Sequence, residues 1–102
     1  MIMSNVPTGN CRAVDLPLGK LVSTPGALEA LAKAGQSGPE LIERHRRGDW
    51  GEVNATDWAA NVRALADGDR ILSVYRLKDG TQIWLISEAD RSVTTFLLPD
   101  EY

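Results

Sequence analysis

The sequence predicts an α+β fold: three short helices, then a three-stranded antiparallel β-meander, with the helices packed on one face of the sheet. Three observations carry this. Apolar residues recur at helical spacing between positions 24 and 66. β-Branched and aromatic runs at 71–77, 81–87 and 93–98 follow without a helical interruption. Between the first two runs sits Asp79-Gly80, a pair suited to the positive φ angles of a two-residue hairpin turn. Helices grouped apart from strands indicate α+β.

Residues 1–20 hold Pro7, Gly9, Pro17 and Gly19 without periodicity, which predicts an irregular arm preceding a domain over 21–102. Val14 to Leu16 is a candidate short edge strand within that arm, and Lys20 to Val22 a second extended piece. Ser23-Thr24-Pro25 opens the first helix, predicted over 25–34: Ser23 or Thr24 caps it and Pro25 needs no N–H in the first turn. Ala27, Leu28, Leu31 and Ala32 form its stripe, and Gly35 closes it. Ser37-Gly38-Pro39 repeats the signal for a second helix near 39–47, with Leu41, Ile42 and His45 on one side. Thr56 is the expected cap of a third helix over 57–66, whose stripe is Trp58, Ala59, Val62, Leu65 and Ala66.

A two-residue turn at Asp79-Gly80 would set Tyr75 opposite Trp84 and Val74 opposite Leu85. Tyr75, Trp84 and Ile86 would then share one face, with Phe96 joining Trp84, and Leu72, Val74, Ile83 and Leu85 would share the other. Three short helices cover one side of such a sheet more readily than two. The aromatic face is therefore the candidate protein-binding surface, for a partner or for a second copy of the chain. The alternative is that the N-terminal arm folds back and buries it.

The totals describe an ordinary globular chain of one-domain length: 102 residues, 43% hydrophobic and 25% charged. Cys11 is the one cysteine, so no internal disulfide forms, and a cytoplasmic setting is expected. No apolar run reaches the roughly 20 residues of a membrane span, and the N-terminus does not read as a secretory signal. Residues 1–47 carry six Lys/Arg against four Asp/Glu, whereas residues 48–102 carry five against ten. An acidic sheet half disfavours nucleic acid as a partner, because phosphate affinity comes from clustered cations.

Candidate chemistry is sparse. His45 beside Arg44, Arg46 and Arg47 could contact RNA or act as a general acid, but one histidine without a placed partner reads first as a core-flanking residue. Glu88, Asp90 and Arg91 share the polar link before the last strand, where a turn is the plainer reading and a small site the sharper one. Trp50 and Trp58 have acidic neighbours, so they read as packing residues instead of a base-stacking platform. No catalytic residue is assigned, and no metal or cofactor is expected.

Four runs, LGKLVSTPGAL at 18–28, RGDWG at 47–51, WLISEADRS at 84–92 and LLPDEY at 97–102, resemble small bacterial proteins carried on plasmids and integrative elements. That resemblance implies an accessory role for a mobile element and no catalytic residues to carry over. The helices-then-hairpin order also resembles RelE-type ribonuclease toxins, which would give His45, Arg46, Arg47 and Arg91 an RNA-directed role. Those toxins are basic and this chain is not. The leading expectation is a non-enzymatic protein-binding module. The alternatives are that toxin and an acidic inhibitor mimicking nucleic acid in the anti-restriction manner.

Overall fold

Residues 14–102 are described by the computed structural model, in which three helices pack against a four-stranded mixed sheet. Cys11 and the arm before Val14 lie outside the described residues. In chain order the elements are β1 (Lys20–Ser23), α1 (Pro25–Ala34), α2 (Gly38–Arg46), α3 (Ala55–Asp67), β2 (Ile71–Arg76), β3 (Gln82–Ser87), β4 (Val93–Leu97) and a closing 3-10 turn, Pro99–Glu101. The sheet order is β1-β4-β3-β2. β2, β3 and β4 form the expected antiparallel meander. β1 adds a fourth strand, parallel to β4, so the sheet is mixed. The sequence suggested an extended piece there but not its pairing, because Lys20 and Val93 are distant in the chain. Val14 to Leu16 forms no strand. Leu16 is instead buried beside Trp50, Ala64 and Ile71, and its N–H donates to Arg46 O.

The helix ends follow local chemistry. Thr24 Oγ1 accepts from Ala27 N–H at 3.1 Å, and Pro25 occupies the first turn of α1. α3 starts earlier than expected, because Asn54 and not Thr56 is its cap: Asn54 Oδ1 accepts from Asp57 N–H at 2.8 Å. α3 is also turned differently about its axis. Its buried residues are Asn61 and Ala64, while Trp58 and Val62 remain exposed. The reason is the edge of the sheet. Asn61 Nδ2 donates to Leu72 O and its Oδ1 accepts from Leu72 N–H, so a polar side chain satisfies the outward backbone groups of Leu72 on β2.

The β2–β3 turn corrects the expected register. Gly80 has φ +91°, but Asp79 is not in the left-handed region, so a two-residue turn needing two positive φ angles does not form. Leu77 N–H instead donates to Thr81 O, and residues 78–80 make a three-residue loop. Asp79 Oδ1 accepts from Thr81 N–H at 3.0 Å and holds the loop. The pairing shifts by one residue: Tyr75 lies opposite Ile83, Val74 opposite Trp84 and Ser73 opposite Leu85. A shift of one moves every partner to the other face.

The helix-covered face therefore carries Ile71, Ser73, Tyr75, Leu77, Ile83, Leu85, Ser87, Thr94 and Phe96, all buried. Ala27, Leu31 and Leu41 from α1 and α2 close over it.

Candidate functional site

The opposite face carries Leu72, Val74 and Arg76 on β2, Gln82, Trp84 and Ile86 on β3, and Thr95 and Leu97 on β4. Both hydrophobic clusters that the helices join draw their sheet residues from the other face. On the open face Leu72, Val74 and Trp84 are partly exposed, and Ile86 and Leu97 are buried beneath their neighbours. The Tyr102 ring lies 5.6 Å from the Trp84 ring, and the Tyr102 hydroxyl accepts from Arg70 Nη1 at 2.6 Å. Glu88 pairs with Arg70 at one end of β2, and Glu52 with Arg76 at the other. The result is an apolar strip with an aromatic pair at its centre and a charge-balanced rim.

Of the four residues expected to form a binding surface, Trp84 and Ile86 lie on this face. Tyr75 and Phe96 do not, since the register turns both under the helices. Tyr75 is 1% exposed, its hydroxyl donates to Asp49 O at 2.6 Å, and Arg44 stacks 4.6 Å from its ring centre. Burial raises its phenol pKa. Phe96 lies beneath Gly38, where an added Cβ would sit 3.5 Å from its ring. Leu72, Val74 and Tyr102 take their places on the open face. The correct alternation was hidden behind the turn length, and Tyr102 carried no periodic signal.

His45 is fully buried, which removes it from any contact with RNA. It is the hub of a polar relay inside the core. Nδ1 lies 2.6 Å from Ser73 Oγ, Nε2 lies 2.9 Å from Ser87 Oγ, and Ser87 Oγ lies 2.7 Å from Thr94 Oγ1. Thr94 Oγ1 donates to Leu18 O at 2.8 Å. That last bond sets the direction of the chain. Thr94 has spent its proton, so it accepts from Ser87, and Ser87 accepts from His45 Nε2–H. His45 Nδ1 then accepts from the Ser73 hydroxyl. Desolvation, with Arg91 as a secondary repulsive charge, lowers the imidazole pKa to about 4. The serines resemble a nucleophile beside its base, but each is sealed from solvent, so the relay joins α2 to three strands and offers no surface for a substrate.

The two neighbouring arginines are engaged as well. Arg46 Nη2 pairs with Glu43 at 2.7 Å and its Nη1 with Asp15, while Arg47 Nε pairs with Glu43. Bonds from Arg46 and then Arg47 lower the Glu43 pKa to about 2. In the 88–92 link, Asp90 accepts from Ser92 N–H and Oγ–H. Arg91 adopts φ 60° and donates to the carbonyls of Ala64, Asp69 and Glu88. It thus caps the C-terminal end of α3, where a cation is favoured.

Several carboxylates of residues 48–102 serve the fold in the same way. Asp49, Glu52 and Glu88 pair with arginines, Asp79 and Asp90 hold turns, and Glu101 accepts from Thr24 Oγ1 and Leu98 N–H. A nucleic-acid mimic would instead leave its carboxylates unpaired and aligned. A shallow groove of about 510 Å3 lies beside α1, lined by Glu29, Lys33, Asp79 and Leu98 among others. Among the described residues no group of His, Cys, Asp and Glu is arranged to hold a metal ion, and no helix is long and apolar enough to cross a membrane. No family model, curated protein or solved structure matches the chain.

Proposed function

We propose that this protein is a protein-binding module that docks a partner chain on the open face of its sheet, with Trp84 as the anchor. The observation that carries this reading is the half-buried Trp84, with the exposed Tyr102 ring against it, set among Leu72, Val74, Ile86 and Leu97 on the face that lies away from the helix-joined clusters. An aromatic at the centre of an apolar strip, ringed by paired charges, is the usual anatomy of an energetic hot spot. The resemblance of the four sequence runs supports an accessory role on a bacterial mobile element as the setting.

The test replaces Trp84 by a photo-crosslinking phenylalanine analogue in cells, with the same analogue at exposed Lys33 as control. A discrete adduct with one protein at position 84, absent at position 33, is expected. Trp84→Ala should weaken recovery of that partner at least about tenfold, the range of a hot-spot aromatic, while far-UV circular dichroism is unchanged. Equal recovery by Trp84→Ala would sink the reading.

A further inference from the structure

The chain treats the two edges of its sheet differently. On β2 the outward groups of Leu72 and Val74 are met, and only those of Arg76 at its end are not. Asn61 bonds both backbone groups of Leu72, Val74 N–H donates to Trp50 O, and Val74 O accepts from Glu52 N–H. On β1 they are not. Lys20 N–H donates to Ser92 O and Thr24 N–H to Phe96 O, so alternation turns the backbone groups of Leu21 and Ser23 away from β4. Among the described residues no backbone bond reaches them from outside the sheet. Leu21 is 49% exposed there. An open edge of this kind is a template for another strand.

We propose that β1 pairs antiparallel with β1 of a second copy, joining two four-stranded sheets into one of eight. One register uses both outward residues: Leu21 opposite Ser23 of the second copy, and Ser23 opposite its Leu21. Val22 then meets Val22 on the two-fold axis. Lys20 falls opposite Thr24 of the second copy, in a non-hydrogen-bonded pair where side chains approach most closely. Thr24 Oγ1 donates to Glu101 Oε1 at 2.6 Å, and that bond, with one from Leu98 N–H, lowers the Glu101 pKa and keeps it ionised.

Neither Lys20 nor Glu101 takes part in an ion pair within its own described chain. The register dictated by the backbone therefore brings an unpaired cation beside an unpaired carboxylate, and symmetry does so twice. This charge complementarity argues for a second copy as the occupant. The proposal does not depend on the Trp84 face. A continuous sheet places both open faces on the same side and leaves them free.

Sedimentation velocity of the full chain, from about 1 to 500 µM, tests this with a dimer expected at a dissociation constant of roughly 10–100 µM, as suits a small interface. Leu21→Pro removes an outward N–H while leaving the inner pairs to β4, and should abolish the dimer. Lys20→Glu lies on the surface and should weaken it about tenfold, since each exposed pair occurs twice. The charge swap Lys20→Glu with Glu101→Lys should restore it to within about threefold. A monomer at every concentration overturns the proposal. So does a dimer that ignores Lys20→Glu, a swap that fails to restore association, or a dimer dissolved by Trp84→Ala alone, which would assign self-association to the open face.

Discussion

At the scale of a single residue, His45 does the most with the least sequence signal. Its spacing from Leu41 and Ile42 places it at the core, but the residues that receive it, Ser73, Ser87 and Thr94, read in sequence as ordinary strand polar positions. Only the sheet lines them up under α2. Because burial lowers its pKa to about 4 from the ordinary 6.5, the unfolded chain binds more protons between those values. The stability this contributes is complete above about pH 6.5 and is lost as pH falls towards 4, roughly 3 kcal/mol in all. About 2 kcal/mol of that should go between pH 7 and 5, above the range in which the carboxylates titrate. Urea unfolding at the two pH values measures it, and His45→Gln, which cannot ionise, should flatten the slope. An unchanged slope in that variant would assign the acid sensitivity to other groups.

At the scale of the element, α3 and the β2–β3 turn show how a clear pattern can be correct in type and wrong in orientation. The apolar stripe of Trp58, Val62 and Leu65 announces a helix. Which side it buries was decided by a strand edge that needs two hydrogen bonds, and Asn61 supplies both. Trp58 is left to lean on Trp50, with ring centres 5.2 Å apart. Asn61→Leu should therefore destabilise the fold by about 2 kcal/mol despite greater apolarity, because Leu72 N–H and C=O lose their partners. Thermal melts report the loss, and faster exchange of the Leu72 amide locates it.

The turn carries a second prediction. An added Cβ at Gly80 meets nothing within 4 Å, so Gly80→Ala isolates the backbone cost of φ +91°. A loss of about 1–2 kcal/mol in chemical denaturation is expected, without a change of register. Gly51 differs: its φ is 71°, and a Cβ there would lie 2.1 Å from Val74 O. Gly51→Ala adds a steric clash to the strain, and it should cost more than Gly80→Ala in the same measurement.

At the scale of the whole molecule, the sheet divides the protein into a sealed side and an open one, and its two edges into a capped and an uncapped one. Native-state hydrogen exchange should follow that division. The amides of β3, paired on both sides, should exchange last. The outward amides of Leu21 and Ser23 should exchange fast at low protein concentration and slow as concentration rises. Fast exchange at every concentration would count against strand pairing between copies. The described part of the N-terminal arm joins the helix-covered side, through Val14, Leu16 and Leu18.

Three helices, three antiparallel strands and a hairpin at Asp79-Gly80 follow from the order of the residues, because capping side chains, apolar spacing and turn glycines act over only a few positions. Which of Tyr75, Trp84 and Phe96 would face outward did not follow. One extra residue in a turn reverses a whole face, and that residue count is set by whether Asp79 takes a positive φ. The fourth strand, the His45 relay and the Asn61 cap were likewise settled in three dimensions. Each satisfies buried or edge polar groups with partners far along the chain, and such pairing leaves no periodic trace in the sequence.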